Sequence, residues 1–430
     1  IPLIRMSPTG GADIRSEFPE PLTFRVEGSS GDDDKMVIEG LIDATASETI
    51  SREADGRQTD SVTMPEGRIA FSGMDIDGDR IEGEPMTLVL RNLRGATTLG
   101  GGAGVDSDVE IEGATLLIDM ADAEDGASIK GQGEFGAMKM VSRMFLPEGH
   151  DNRSPAAMAA ALRAGAETSG TGSIASMSLD LDMQGDRDSG DGREDIALKT
   201  SSGPTSIDFG LLDGRLNYQV DISETSIAMQ GSEFPVPVDF GIDTVSFDLQ
   251  FPLLAEDAAQ PFKLAYSLGG LRIGDGIWAM ADPQGALPHD PADFDLDLTG
   301  ELILREDLLA LADRPDSAME DMPILPVNLT LSQLALSALG ANANAQGALR
   351  FPEPGNFEVM DGELTARFQG INALLDRLVG AGLVGEDEVG GARMMLMMFA
   401  RPVDGEADTL ETRLEVNEEG SIFANGVQIQ

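Results

Sequence analysis

The 430-residue sequence sets 76 acidic side chains against 29 basic ones, for a formal net charge of -47, with no cysteine and 41% hydrophobic residues. Such a surface repels phosphate backbones and anionic headgroups, which argues against nucleic acid as a partner. Without thiols, disulfides, thiolate zinc sites and cysteine nucleophiles are ruled out, and the ordinary hydrophobic content places the charge on a folded, highly soluble surface rather than in a disordered chain.

The length suits two or three conventional domains or one elongated β structure. No run approaches the ~20 apolar residues of a spanning helix, so no transmembrane segment is expected. The chain begins at Ile1 rather than methionine, so it reads as processed or truncated, and a removed signal peptide is the expectation.

Residues 1–200 form an N-terminal β-rich region of weak alternation, with short apolar pairs such as Ile69 and Phe71 and the set Met86, Leu88 and Leu90. Glycine-rich "GATTLGGGAG" and acidic "GSSGDDDK" interrupt it and are expected to be loops or turns. One helix is expected in "SPAAMAAALRAG", with Ser154 as N-cap, Pro155 at the first helical position and Gly165 at the stop.

Two acidic loops, "DIDGDR" at 75–80 and "GDRDSGDGRED" at 185–195, invite a calcium test. An EF-hand loop needs glycine at its sixth position and a bidentate glutamate at its twelfth, where this chain has Arg80 and Met86. Solvated turns are the plain reading, weak calcium binding the alternative, and no metal site or cofactor is assigned.

Residues 201–430 alternate far more clearly. Ile207, Phe209 and Leu211 share one strand face, and Leu216, Tyr218, Val220 and Ile222 share the next, with Asp213-Gly214 between them. That spacing predicts a β-hairpin with a tight turn, because both central residues of a type I′ turn need positive φ. The pattern recurs at Val245, Phe247, Leu249 and Phe251, at Phe262, Leu264, Tyr266 and Leu268, at Phe294, Leu296 and Leu298, and onward to Leu410, Leu414 and Val416. A phase slip from Val238, Phe240 and Ile242 to Val245, Phe247 and Leu249 would turn apolar residues outward unless a bulge absorbed it. The fold class expected is therefore mainly β: long twisted antiparallel sheets curled into an open barrel or groove, with a few short helices.

Short helices are expected in "GDGIWAMADP" and "REDLLALADRP", each closed by a proline, and a helical hairpin is expected over 371–402. Its second helix opens on Glu386, Asp387 and Glu388 and ends at Arg401-Pro402, as the helix dipole and the proline ring require. Val389, Ala392, Leu396, Phe399 and Ala400 make one stripe, and Met394, Met395 and Met398 cover most of the remainder. A helix apolar nearly all round is expected to be enclosed. Flexible, polarizable methionines suit both core packing and an apolar ligand; on the ligand reading, the nearest residues are Leu374, Leu378, Met394, Met395, Met398 and Phe399.

Catalytic signals are sparse. His150 and His289 stand in turn-like "LPEGHDN" and "LPHDPA", where a histidine is expected to be solvated, and the single Trp278 is expected to be a packing anchor. No nucleophile elbow, phosphate loop, dinucleotide fingerprint or histidine-based metal motif is present, so no catalytic residue is assigned and a hydrolase is the weakest reading.

At "IGDGIWAMADPQGALPHDPADFDLDLTG", "GINALLDRLVGAGLVGEDEVGGARMMLMMFARP" and "GSIFANGVQIQ" the chain resembles a family of alphaproteobacterial proteins of unknown function. The resemblance implies export and a β-rich fold and lends no site residues. Stretches such as "LTLSQLALSALGANANAQGALRF" are similar to the β segments of AsmA-type envelope proteins, a likeness that implies lipid movement between the two membranes. The combined expectation is a non-enzymatic periplasmic protein that binds or carries an apolar, lipid-like ligand in a β groove. The alternative is a structural or scaffolding envelope protein with a fully packed core, whose partners would be other envelope proteins.

Overall fold

The computed structural model describes residues 5–8, 13–18, 20–30, 34–54, 57–76, 79–100, 104–121, 127–151, 153–186, 193–232, 234–311, 323–357 and 359–429. Antiparallel strands dominate them, as the alternation predicts. The chain divides into two compact units that interleave in sequence, one of residues 1–148, 168–207 and 222–239, the other of residues 149–167, 208–221 and 240–430.

In the first unit the longest strands, Arg57–Ile76 and Asp79–Leu99, form one extended antiparallel pair. "GATTLGGGAG" departs from expectation here, because Gly95–Leu99 continue the second of these strands while residues 101–103 lie outside the described residues. Two features hold the glycine-containing run in the ladder: Thr97 and Thr98 on the β-branched side, and in-register partners at both edges, Ala96 lying opposite Ser61 and Asp108. "GSSGDDDK" likewise begins inside a strand, Leu22–Ser30, and its residues 31–33 lie outside the described residues. Of the calcium-test loops, residues 77–78 and 187–192 lie outside them as well.

In the second unit the turn at Asp213-Gly214 has φ of 51° and 68°, the type I′ geometry that the sequence predicts. From there the main sheet is an antiparallel meander of strands numbered here β1 (Val238–Pro252), β2 (Gln260–Ile273), β3 (Ala292–Leu304), β4 (Ile324–Ala338), β5 (Ala341–Arg350), β6 (Asp361–Gln369) and β7 (Thr409–Val416). Each pairs with the next in chain order.

The phase slip in β1 meets its bulge in β2. Leu268 lies opposite Phe294 but Leu271 lies opposite Ala292, so one extra residue is absorbed at Gly269-Gly270. Gly270 has φ of 68°, its N–H donates to Asp293 Oδ1 at 2.8 Å, and a Cβ there would come within 2.1 Å of Asp243 Oδ2. Only glycine fits that backbone. A second bulge in β4, between Leu331 and Leu334, returns the apolar residues of that strand to the same face.

The helices are α1 (Pro155–Arg163), α2 (Asp275–Ala281), α3 (Leu308–Leu311), α4 (Ile371–Gly380) and α5 (Glu386–Phe399). Ser154 caps α1, its Oγ accepting the Ala157 N–H at 3.1 Å, and Gly165 follows with φ of 91°. The chain beyond α3, residues 312–322, lies outside the described residues.

Helices α4 and α5 form the expected C-terminal hairpin, and it is an insertion between two paired strands, since Gln369 of β6 lies opposite Thr409 of β7. Its burial corrects the expectation of enclosure. Val389 is 5% exposed and Ala400 6%, while Met394, Met395 and Met398 are 65%, 62% and 61% exposed. The stripe of Val389, Ala392, Leu396 and Phe399 suffices to seat the helix; at about 100° per residue Met394 and Met398 fall on the opposite side, and Met395, one turn before Phe399, falls at the edge of the stripe.

Candidate functional site

The apolar face of the second unit's sheet is continuous because the strand registers agree. One row runs across all strands as Phe247, Tyr266, Leu296, Leu334, Ala345, Ala366 and Thr412, and a neighbouring row as Leu249, Leu264, Leu298, Leu331, Gly347, Leu364 and Leu414. Further rows through Val245, Leu268 and Phe294 and through Phe262, Gly300 and Leu329 extend it on either side. Strands about 4.8 Å apart and a two-residue repeat of about 6.8 Å give this face dimensions of about 29 by 20 Å.

Aromatic pairs stiffen one side of it. Tyr218 meets Phe247 with ring centroids 6.1 Å apart, Tyr266 meets Phe294 at 6.0 Å, and Phe251 meets Phe262 at 6.0 Å. Toward β5 the side chains shrink to Ala343 and Ala345, between Leu334 and Leu336 on β4 and Ala366 and Phe368 on β6, which leaves a shallow trough. The opposite face is polar, with Lys263 Nζ bound to Asp248 at 2.7 Å and Ser267 Oγ to Asp295 at 2.7 Å.

The apolar face is only partly withdrawn from water. Phe247, Tyr266, Leu296, Leu298, Leu331 and Leu334 are all half-buried, and Leu336 is 48% exposed. A sheet with one oily side normally buries it against a second layer. Here the large side chains buried to below 2% exposure among the described residues are Leu304, Pro85 and Pro252, none of which belongs to those rows.

The helical hairpin is pinned beside this face by polar contacts. Asp408 accepts the backbone N–H groups of Asn372 and Ala373 at 3.1 and 2.9 Å and the Asn372 side chain at 2.8 Å. Burial alone would raise the Asp408 pKa, but these donors and the nearby Arg393 outweigh it and hold the carboxyl below its usual range. Arg393 of α5 reaches back to Asp376 at 2.5 Å and to the Asn372 carbonyl at 3.3 Å. At the far end of α5, Thr412 on the apolar face donates to the Phe399 carbonyl, as does the Asn425 side chain at 2.8 Å.

The residues singled out in the sequence therefore separate. Leu374, Leu378 and Phe399 are half-buried in the hairpin, whereas Met394, Met395 and Met398 face solvent, joined by Met397 at 78% exposure. They do not line one enclosed cavity. The sheet rows were visible in the sequence as separate strands, and only their register makes them one surface.

His289 is exposed, as the solvated reading expects, yet it is not without neighbours. Its ring stacks on Trp278 with centroids 4.2 Å apart and planes 10° from parallel, and its Nε2 lies 3.9 Å from Asp282 Oδ2. Asp282 is buried, accepts the Leu287 N–H at 2.6 Å, and is held ionised below the usual carboxylate range by the Leu287 and Ala286 N–H groups. Trp278 is thus an anchor, as expected, for the turn that follows α2. Among the described residues no group of three or more His, Asp or Glu side chains is placed to hold a metal.

Two concavities of about 880 and 980 Å³ lie on the first unit and share Lys130 and Gln230. Their lysines are already paired, Lys130 with Asp119 at 3.2 Å and Lys199 with Asp180 at 2.8 Å. A third, of about 570 Å³, sits at the β4 bulge around Ser332, Gln333, Asn344 and Arg367.

The profile of the DUF2125 family, described as an uncharacterized protein conserved in bacteria, matches residues 188–429. The chain belongs to this bacterial family. The match takes in β1 to β7 and the helical hairpin, so the partly open apolar face is built wholly from the family's own segment. No curated protein matches the chain. Among solved structures it is similar to BauA, the ferric preacinetobactin receptor from Acinetobacter baumannii, over 96% of this chain and 75% of that one, at 9% identity and a TM-score of 0.16. A TM-score that low carries no argument about fold or function.

Proposed function

We propose that this DUF2125 protein binds or carries an apolar, lipid-like ligand on the open face of β1–β7. The single observation behind this reading is that four registered rows of Leu, Phe, Val and Tyr side chains stay only partly buried on a sheet whose other side is polar. Covering such a face with hydrocarbon gains about 25 cal/mol per Å² withdrawn from water. The rows are aliphatic and aromatic, so they suit acyl chains, which offer area without hydrogen-bonding groups. Leu374, Leu378 and Phe399 of the hairpin would border the bound chain. No covalent chemistry is required.

The location we propose is the Gram-negative periplasm, where a lipid in transit needs a protein to shield it from water. The sequence likeness to AsmA-type envelope proteins supports that setting. The competing reading, a scaffold with a packed core, is less compatible with rows of only partly buried apolar side chains along β1–β7.

The test is solvent extraction of protein purified from its native host, followed by mass spectrometry, together with displacement of a fluorescent fatty acid. Co-purified lipid and saturable displacement are expected. A clean extract with no displacement would sink the carrier reading and leave the scaffold.

A further inference from the structure

The four methionines on the outward side of α5 ask for an explanation that apolar packing does not provide. Met394, Met395, Met397 and Met398 are between 61% and 78% exposed, so none contributes appreciably to the core. At 100° per residue they occupy an arc of about 160°. Met394 and Met398 stand one turn apart, and Met397 and Met395 flank them, so neighbouring side chains start about 5–6 Å from each other at Cβ. Each carries three rotatable bonds to its methyl group, enough for three sulfurs to converge on one point above the helix.

The helix that presents them is held at both ends. Glu388 Oε2 accepts the Gly385 N–H at 3.0 Å at its start, Arg393 ties its middle to Asp376, and Thr412 and Asn425 hold the Phe399 carbonyl at its end. The thioethers are thus displayed on a fixed support rather than on a loose tail. The same helix opens on Glu386, Asp387 and Glu388, about 9–18 Å along its axis from the methionines, in a chain whose net charge of -47 attracts cations at long range.

We propose that Met394, Met395, Met397 and Met398 form a surface site for one copper(I) ion, bound by three of the four thioethers. Soft, neutral thioether sulfur suits copper(I) and is a poor donor to the hard ions calcium and magnesium, while the sulfur ligands of zinc are charged thiolates, which this cysteine-free chain lacks. Thioether sulfur has no proton to lose, so the site keeps its affinity in mildly acidic solution, where imidazole sites fade. An ordinary docking surface would need only apolar area, for which leucine serves as well. The excess of sulfur is the feature that a metal explains. This site is independent of the sheet face proposed to hold lipid.

The experiment is an anaerobic titration in which the full chain competes with a chromophoric copper(I) chelator, bicinchoninate, at pH 7 and pH 5. The native protein is expected to withdraw one equivalent of copper at both values. The variant carrying Met394→Leu, Met395→Leu, Met397→Leu and Met398→Leu is expected to withdraw none; leucine matches methionine in helix propensity and apolar area, so the fold is preserved and circular dichroism verifies it. His150→Ala and His289→Ala are expected to leave the stoichiometry unchanged, and excess zinc is expected not to compete. Copper retained by the leucine variant, copper lost on acidification, or no withdrawal from the chelator by the native chain would each overturn the proposal.

Discussion

The Gly370 N–H donates to the Asp408 carbonyl at 2.8 Å, closing the base of the helical hairpin where it leaves β6 and re-enters β7. Both residues have positive φ, 74° and 44°. Immediately above this closure the Asp408 carboxylate caps α4, whose own N-cap, Gly370, has no side chain to do so. The cap is supplied from the far end of the insertion, so the two ends of the hairpin stabilise each other.

Asp408→Ala removes that cap, and the expected cost is about 0.5–2 kcal/mol, the scale of losing a capping side chain. Thermal unfolding should show a lower Tm, and hydrogen exchange should speed up first in α4. An unchanged Tm would contradict the closure described.

The same carboxyl gives a pH dependence of known sign. Its pKa lies below the usual range in the folded protein, so its stabilisation is complete above the unfolded value of about 3.9 and is lost as the pH falls through the lowered folded value. The Tm difference between the native chain and Asp408→Asn should therefore be largest near neutrality and shrink in acid. A difference that grew on acidification would reverse the assignment.

Gly270→Ala forces a side chain into positive φ and against Asp243 Oδ2. The expected loss is about 1–3 kcal/mol, by strain at the bulge that keeps β1 and β2 in phase with β3. Chemical denaturation measures it, with Gly285→Ala as the reference, since Gly285 also has positive φ, 64°, but nothing lies within 4 Å of its added Cβ.

Leu334→Glu puts a charge in the middle of the apolar face, and at least tenfold weaker binding of a fluorescent fatty acid is expected, about 1.4 kcal/mol. Asn344→Asp, on the other face of the adjacent strand, is the matching control and should leave binding within twofold. Equal losses in both would mean that the face is not the site.

Trp278 is the one tryptophan of the chain, so its fluorescence reports a single place. His289→Ala uncovers the indole face that the imidazole now stacks on, and a red-shifted emission maximum is the expected readout. No shift would show the stack to be absent in solution.

Much of the fold was readable from residue order. Alternation at Phe247, Leu249 and Phe251 marked a strand, Asp213-Gly214 marked its turn, Ser154-Pro155 marked a helix start, and the slip after Ile242 called for a bulge, because each of these depends on chemistry within a few residues. The start of the glycine-rich stretch, residues 95–99, departs from the expected loop for the complementary reason: its local composition favours a turn, and partners on two neighbouring strands overrule it.

What sequence alone determined, then, was the strands, their turns, and which side of each is oily. Tertiary structure decided the rest: that the rows of seven strands fall into register as one face, that Asp408 caps a helix begun at residue 371, and that the methionines of α5 look outward. Periodicity tells which side chains share a face, whereas the element opposite that face is set by contacts between residues far apart in the chain, and those have no local signature.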